Sequence, residues 1–357
     1  HSIDANLLKL DILGHDDPTM IRTLEDMTDL NAREVPLDDK AVMSLFASTE
    51  ALGIDPKDIG GCKLGCLGIP EFGTDFAMQM LVDTKPKYFS DLVRIAGLSH
   101  GTDVWLGNAQ TLIEEGKATA ICTRDDIMIY LIGQGVESGL AFTIMESVRK
   151  GKGLRDEWIT TMKEHGVPDW YIWSCKKIKY MFPKAHAAAY VMMAYRIAWF
   201  KVFQPLAYYG AYFSIRATAF SYELMCMGKE KLEFYMAEIR KKGDAASKKE
   251  QDTLKDMRIV QEMYARGYDF MPIDIYRAKA HRFQIIEGKL MPSIDSIEGL
   301  GDKAADAVVD AAVQGRFLSK DDFRDRTKVS KTVIDLMDKL GLFGDIPQSN
   351  QISLFDF

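Results

Sequence analysis

Apolar residues recur every three or four positions along most of the chain, which predicts a mainly helical fold. Gly and Pro separate the periodic segments. The predicted helices span residues 39–47, 71–82, 89–96, 103–115, 125–133, 138–150, 156–165, 168–181, 185–203 and 205–216. An earlier helix is expected at Asp17, with Asp17 as its N-cap and Pro18 at the first helical position.

The second half of the chain changes its pattern twice. A charged block, 228–265, predicts two helices joined by a hairpin at Lys241-Lys242-Gly243. Short alternating runs then include 282–286, followed by a turn at Glu287-Gly288, and indicate a small β element. From residue 294 onward two helical hairpins precede a polar tail, 346–357. The predicted fold class is therefore mainly α with minor β.

Length and composition are typical of a globular protein with two or three domains. The chain has 357 residues, of which 47% are hydrophobic and 27% charged. Among its five cysteines, Cys62 and Cys66 are close, but their C-x3-C spacing lacks a partner pair, which argues against zinc or a disulfide framework. We expect a reduced, cytoplasmic protein. Because the chain begins at His1 and not Met, we also expect it to be a piece of a longer protein.

The most apolar stretch, 185–203, is about long enough to span a bilayer. His186, Arg196 and Lys201 interrupt it, however, and no secretory signal precedes it. A membrane partner is not expected.

Residues 170–222 contain no Asp or Glu, although the chain as a whole has a net charge of −7. This window holds seven Lys or Arg and 16 aromatic residues. Cations interleaved with rings suit a nucleotide or a nucleic acid, since phosphates attract the cations and bases stack on the rings. A buried aromatic core whose charges extend to solvent is the alternative, and composition alone does not separate the two.

One helical face within this window carries candidate chemistry. His186, Tyr190, Met193 and Ile197 follow at steps of three and four, with Lys184 at the N-terminal end. The face offers a cation, a hydrogen-bond donor and a ring, and the neighbouring alanines leave room for a flat base pair. A histidine on an Ala-rich helix is also common in a protein core.

Upstream, Arg149, Lys150 and Lys152 follow one another at a predicted helix end, interleaved with Gly151 and Gly153. Such a cluster can bind a triphosphate, although cations at a helix C-terminus also complement the helix dipole. The segment lacks the Ser or Thr of a Walker A loop.

Two further segments offer weaker candidates. Ser99, His100 and Gly101 form a Gly-rich loop before a predicted helix, and Arg124 begins another helix. The loop is either a candidate border of a ligand site or a simple turn. At Arg124 the default interpretation is a helix cap. Asp11 is an acidic residue within an apolar run that predicts a strand. Two-metal phosphoryl transfer needs several carboxylates, so Asp11 could be only part of such a site.

Residues 297–308 have the apolar-x-Gly-apolar-Gly pattern that precedes an Ala-rich helix in a helix-hairpin-helix, which binds backbone phosphate without reading sequence. A weaker second unit spans 330–343. The final peptide has the form of a docking motif, with one hydrogen-bonding residue and apolar anchors: Gln351, Ile352, Leu354 and Phe355.

Together these segments closely resemble the PolC-type DNA polymerase III alpha subunits of Gram-positive bacteria. The resemblance rests on residues 8–14, 69–74, 99–105, 145–153 and 180–190 and extends over the whole chain, including the tail. It implies the C-terminal portion of a replicative DNA polymerase, with the end of a palm at 1–35, fingers at 36–225, a duplex-binding module at 226–345 whose helix-hairpin-helix covers about 294–345, and a clamp-binding tail at 346–357.

The resemblance also implies partners, a cofactor and residue roles. The partners are dNTP, primer-template DNA, a sliding clamp and other replisome subunits at the nucleoid, and the cofactor is a pair of Mg²⁺ ions, with Asp11 as the third palm carboxylate. The implied nucleotide-binding residues are Ser99, His100, Gly101, Arg124, Arg149, Lys150, Lys152, Phe182, Lys184, His186 and Tyr190. The implied DNA-binding residues are Gly299, Leu300, Gly301 and Lys303, and the clamp-binding residues are Gln351, Ile352, Leu354 and Phe355.

The chain departs from the family in extent. The other two palm acids and the exonuclease, PHP and N-terminal domains are absent, and 116–122 is shorter than expected. The alternative hypothesis is a non-enzymatic DNA-binding, clamp-tethering protein in which the aromatic window is only core.

Overall fold

The structure is a computed structural model that describes residues 14–117 and 120–349. Asp11 and the tail residues Gln351, Ile352, Leu354 and Phe355 lie outside these ranges. Helices dominate the described part, which contains one antiparallel two-stranded sheet with Gln284 opposite Met291. The prediction of a mainly α fold with minor β is therefore confirmed.

The helices and strands follow one another in this order: α1 Asp16–Thr28, α2 Lys40–Ser44, α3 Asp75–Thr84, α4 Phe89–His100, α5 Gln110–Glu114, α6 Arg124–Gly133, α7 Ser138–Arg149, α8 Asp156–Glu164, α9 Asp169–Lys177, α10 Lys184–Phe203, α11 Pro205–Ala211, α12 Tyr222–Met225, α13 Lys229–Lys241, α14 Lys248–Ala265, β1 Gln284–Ile286, β2 Lys289–Met291, α15 Asp302–Val313, α16 Lys320–Thr327 and α17 Lys331–Lys339. Short 3-10 and π-helical turns join some of them, including the 3-10 turn Ile294–Ser296.

The chain forms two compact units. The internal unit is Arg33–Phe203, and the terminal unit combines His1–Ala32 with Gln204–Phe357. The palm, fingers and duplex-module boundaries expected from the sequence are functional ones and stay predictions.

Helix α10 is the centre of the internal unit, where it packs against α4 and α2. Tyr195 is fully buried, stacks on Phe46, meets Phe89 edge to face and donates its hydroxyl to the Asp39 carbonyl at 3.0 Å. Part of the aromatic window is therefore core, as the alternative interpretation expected. Despite the length of α10, none of the helices described here is both long and apolar enough to cross a membrane.

One cation of the window does not extend to solvent. Lys201 is fully buried, and its Nζ donates to the carbonyls of Gly65 and Leu67, each at 2.7 Å. A buried ammonium is costly unless it is hydrogen-bonded, and these carbonyls reduce that cost. Lys201 therefore ties α10 to the loop between α2 and α3.

In the terminal unit, α1 packs against α11 and the π-helical turn Tyr212–Arg216. The predicted N-cap at Asp17 is wrong, because the cap is His15, whose side chain accepts from the Asp17 N–H at 3.2 Å. Asp17 instead lies inside the helix, fully buried, 2.8 Å from the guanidinium of Arg216. An ion pair with a distant residue thus overrides the local capping pattern.

The helix-hairpin-helix builds its own apolar core in the terminal unit. The small and branched side chains of α15 meet aromatic rings from the following turns, with Phe323 fully buried between Phe317 and Phe343. The same core contains Ile294 and Leu300, so it holds the 3-10 turn Ile294–Ser296 and α15 on either side of the turn at 297–301. The predicted hairpin between α13 and α14 and the turn at Glu287-Gly288 are also present.

Several predicted helices have different bounds, and the helix expected at 89–96 continues to His100. The helix expected at 71–82 begins only at Asp75, because the chain turns sharply at Glu71, which has φ +67°. The helix expected at 103–115 is interrupted at Leu106 and Gly107, whose dihedral angles are not helical. The helix expected at 168–181 ends at Lys177, and an extended segment follows it.

Candidate functional site

A row of rings lines the start of α10 in the internal unit. Phe182 stacks on His186 with ring centroids 5.0 Å apart, and His186 lies 4.4 Å from Tyr190. Tyr180 meets Phe182 edge to face at 5.1 Å. His186 and Tyr190 lie one helical turn apart, and the extended segment before Pro183 carries the other two rings. The four rings therefore lie side by side and form a partly exposed aromatic surface.

Two glycines let the extended segment 178–182 approach its neighbours. The Thr102 N–H donates to the Tyr180 carbonyl at 2.9 Å, and a Cβ on Gly101 would lie 2.8 Å from that same oxygen. A Cβ on Gly151, which has φ +68°, would lie 2.5 Å from the Lys179 carbonyl. The prediction of a loop at Ser99 and His100 is wrong, because α4 continues to His100 and Gly101 is its C-cap. Gly101 and Gly151 meet the extended segment because both positions lack side chains.

Three cations gather around one carboxylate at the end of α7. Arg149 binds Glu146 with Nε at 2.6 Å and Nη2 at 3.0 Å, and the Nζ of Lys150 lies 2.9 Å from the same carboxylate. Arg124 approaches it to 3.7 Å from the start of α6. Hydrogen bonding by Arg149, against some desolvation and with help from Lys150, lowers the pKa of Glu146 to about 2. The cluster therefore keeps two net positive charges at neutral pH.

Lys184 lies where the starts of α6 and α10 meet. Its backbone N–H donates to the Asp125 carboxylate at 2.6 Å, and its Nζ lies 3.8 Å from Asp126. The Arg124 N–H in turn donates to the Phe182 carbonyl at 3.1 Å. These bonds hold the ring row beside the cations. The Lys184 side chain is half exposed, so its ammonium is accessible to a ligand.

His100 ends α4 next to the rings. Its Nε2 lies 2.7 Å from the Glu71 carboxylate, and its Nδ1 lies 2.6 Å from the Ala96 carbonyl. Both partners accept hydrogen bonds, so this geometry suits an imidazolium. The hydrogen bond to Glu71 is the main reason that the pKa of His100 is raised, and burial opposes it. The ring of His100 meets Phe182 edge to face at 5.7 Å.

The structure thus brings most of the sequence-predicted nucleotide residues to one region of the internal unit. Ser99 contacts the His100 ring at 3.2 Å, while Lys152 lies exposed in the loop after α7, held by its N–H to the Ser147 carbonyl at 2.9 Å. The sequence patterns did not predict Glu146 or Glu71 as residues of this site. The three- and four-residue spacing from Glu146 to Arg149 and Lys150 was a usable signal, whereas Glu71 and His100 are too far apart for local periodicity to join them.

The second candidate region, in the terminal unit, is the turn of the helix-hairpin-helix. Gly299 has φ +80°, Leu300 is buried, and Gly301 is the N-cap of α15 without a side chain to cover the first amides. Lys303 is exposed on the first turn of α15. Uncovered helix N-terminal amides with a nearby cation can bind an anion such as a phosphate.

Comparisons with known proteins match two parts of the chain to family models. Residues 17–166 match the family described as the bacterial DNA polymerase III alpha subunit finger domain, and residues 267–352 match the helix-hairpin-helix motif.

Curated relatives match almost the whole chain. The chain is 56% identical to the PolC-type DNA polymerase III of Caldanaerobacter subterraneus subsp. tengcongensis over 99% of its own length and 26% of the relative. It is 55% identical to the enzyme of that name from Bacillus subtilis and 53% identical to that from Clostridium perfringens, in both cases over 99% of this chain and 25% of the relative. The chain spans about a quarter of the length of these relatives, and it belongs to the PolC-type DNA polymerase III family.

Proposed function

We propose that this chain supplies the nucleotide-binding fingers and a duplex-binding helix-hairpin-helix to a replicative DNA-directed DNA polymerase. The observation that carries the proposal is the cation cluster on Glu146 beside the Phe182–His186–Tyr190 ring row. A dNTP has a polyanionic end and a flat base, and this region offers a complementary surface for each.

Arg149, Lys150 and Lys184 would bind the triphosphate. Glu146 holds the first two side chains in place before the nucleotide arrives, which lowers the entropy lost when they are ordered on phosphate. A triphosphate carries more charge than one carboxylate, so it can share or displace these contacts. The charged form of His100 raises the local positive potential beside the Phe182 ring.

The ring row would receive the nascent base pair. Stacking tolerates any base because every base has a π face, so a site for four different dNTPs is well served by rings in place of base-specific hydrogen bonds. The alanines at 187–189 leave little bulk beside His186 and Tyr190.

The turn at Gly299 to Lys303 would hold the primer-template duplex through its backbone phosphates. Phosphate contacts of this kind position a duplex without specifying sequence, as a replicative enzyme requires. The module binds DNA in this proposal independently of the nucleotide site.

In the complete enzyme, carboxylates outside the described residues would bind Mg²⁺. In the candidate nucleotide region the carboxylates of Glu146, Glu71 and Asp125 are each engaged by a cation or a backbone N–H, so they do not fit a Mg²⁺ ligand set. Asp11 stays the predicted ligand in this chain. Its replacement by Asn in the complete polymerase should reduce synthesis by about 10³-fold or more while DNA binding survives.

The tail would dock on a sliding clamp through Gln351, Ile352, Leu354 and Phe355. Deleting 351–357 should abolish stimulation by the clamp and leave distributive synthesis intact, whereas a tail-less enzyme that stays fully stimulated would exclude this role. Other replisome subunits and a cytoplasmic, nucleoid-associated location belong to the same proposal.

The experiment for the nucleotide site compares Lys184→Ala with Lys163→Ala in the complete polymerase. Lys163 is an exposed cation on α8 that pairs with Asp169, so it serves as a matched control. We expect Lys184→Ala to raise the dNTP KM about tenfold or more, with little change in duplex Kd, and Lys163→Ala to change neither. Equal losses of nucleotide and duplex binding would place Lys184 on a general basic surface, and the absence of any nucleotide binding would favour the clamp-tethering alternative.

A further inference from the structure

His281 lies between two carboxylates on opposite sides of the helix-hairpin-helix turn. Its Nδ1 is 2.8 Å from Asp295, which precedes the turn, and its Nε2 is 2.8 Å from Asp306, which follows the turn on α15. The imidazole therefore spans the chain segment that contains Gly299 and Gly301.

Backbone bonds fix one side of this arrangement. The N–H groups of Ile294 and Asp295 donate to the carbonyls of Lys279 and Ala280 at 3.0 and 3.1 Å. The segment that carries His281 is thus anchored to the 3-10 turn before the hairpin. From that anchor the imidazole reaches across to α15.

The geometry suits an imidazole that donates from both ring nitrogens. Ionised carboxylates only accept hydrogen bonds, so a ring 2.8 Å from two of them is best matched by an imidazolium. The hydrogen bond to Asp295, followed by that to Asp306, raises the pKa of His281, while burial opposes the shift.

The flanks of the turn are acidic. A carboxylate oxygen of Asp302 lies within 4.8 Å of the ligand atoms of His281 and Asp295, and Asp306 adds a further negative charge. Glu298, just before the turn, is paired with Lys249 at 2.6 Å. Without counter-charges, these acids would repel a phosphate at the same amides. The charged neighbours of His281 in its own segment are Lys279 and Arg282.

We propose that His281, in its charged form, is a positioning residue that donates to both Asp295 and Asp306, offsets one of their two negative charges and thereby allows the Gly299–Lys303 turn to accept duplex phosphate. A neutral imidazole has one N–H, so on deprotonation one of the two carboxylates loses the hydrogen bond that it accepts from His281, and its charge is no longer offset by the imidazole. The Ser293 hydroxyl still donates to Asp295. Duplex affinity therefore falls as the pH rises through the pKa of His281. This inference rests on the proposed duplex-binding function of the turn.

The test measures binding of a fluorescein-labelled, mixed-sequence duplex to the full chain by anisotropy, from about pH 6 to about pH 8.5 at constant ionic strength. The variants are His281→Arg, which keeps the charge at every pH, and His281→Gln, which never has it. We expect the wild-type Kd to rise about two- to fivefold more over this range than the Kd of His281→Arg. We expect His281→Gln to bind weakly throughout and to show a correspondingly flatter profile.

Several outcomes would overturn the inference. They are a wild-type pH profile retained by His281→Gln, or a failure of His281→Arg to keep low-pH affinity while circular dichroism shows it folded. Loss of wild-type affinity on adding EDTA would also overturn it, because the cluster would then hold a divalent metal and not a proton. Gly301→Val separates the two proposals. If it leaves duplex binding unchanged, the turn is not the duplex site; if it weakens binding while His281→Gln keeps the wild-type profile, only the role of His281 fails.

Discussion

Arg149 and Glu146 form a two-point ion pair one helical turn apart, with both guanidinium contacts at 3.0 Å or less. This geometry fixes the plane of the guanidinium, which a single-point contact would leave free to rotate. Lys150 approaches the same carboxylate from the next position. The orientation of Arg149 is thus set before any ligand binds.

Arg149→Ala in the complete polymerase should raise the dNTP KM about tenfold or more, since a charge-assisted contact to the triphosphate is lost. Arg149→Lys should recover only part of the loss, because an ammonium cannot make the two-point contact. Steady-state incorporation on a primed template measures both, with Lys163→Ala as control. A full recovery of the wild-type KM in Arg149→Lys would show that charge alone matters at this position.

Glu71→Gln should shift the pH dependence of nucleotide binding. Glu71 raises the pKa of His100, so the imidazolium persists to higher pH, and its attraction for a triphosphate is lost as the pH rises through that pKa. Removing the charge of Glu71 lowers this pKa and moves the loss to lower pH. The dNTP KM measured from about pH 6 to about pH 9 tests this shift. Glu157→Gln, at an exposed position on α8, is the control, and identical profiles for the two variants would refute the role of Glu71.

Asp256→Asn should stabilise the terminal unit above about pH 6. Burial raises the pKa of Asp256 to about 6 from 3.8, although the Ala219 N–H donates to its carboxylate at 2.8 Å. The native state therefore keeps the proton to higher pH than the unfolded state, and stability is lost as the pH rises through about 6.

The Asn side chain still accepts from Ala219 but carries no charge. We expect a gain on the order of 2 kcal/mol at neutral pH that disappears at about pH 4. Urea unfolding at both pH values measures it, with the exposed Asp244→Asn as control. An equal gain at both pH values would mean that the charge of Asp256 is not the cause.

Gly301→Val should weaken binding to unrelated duplexes alike, by about tenfold or more, without unfolding the module. Gly301 has φ −77° and an added Cβ there would meet nothing within 4 Å, so only an approaching phosphate is obstructed. Gly299→Val is the contrasting variant, since its φ of +80° and the Val333 methyl at 3.2 Å predict a loss of stability. Salt titrations on two or more sequences would reveal a sequence preference, which would argue against phosphate binding by this turn.

Local patterns in the sequence predicted the start of α10 to within one residue, the hairpin between α13 and α14, and the helix-hairpin-helix. In each case residues close in the chain determine the structure: Pro183 before the helix, Gly243 in the hairpin, and Gly299 with Gly301 in the turn. The resemblance to the polymerase family added the roles that local patterns left open.

Contacts between distant residues account for what the sequence did not predict. Asp17 fits a capping pattern, but Arg216, 199 positions away, binds it inside a helix. The helix expected to reach residue 181 stops at Lys177 because Gly101 and Gly151 admit the extended chain that follows. No periodicity joins Glu71 to His100, or His281 to Asp306.

The most direct test of the nucleotide site is photo-crosslinking of a base-modified azido-dNTP to the complete polymerase on primer-template DNA, with the labelled peptide identified by mass spectrometry. We expect labelling within Tyr180 to Tyr190 that unlabelled dNTP competes away and that Lys184→Ala reduces. Competed labelling located elsewhere, with none in this segment, would contradict the assignment of the ring row and its cations to the incoming nucleotide.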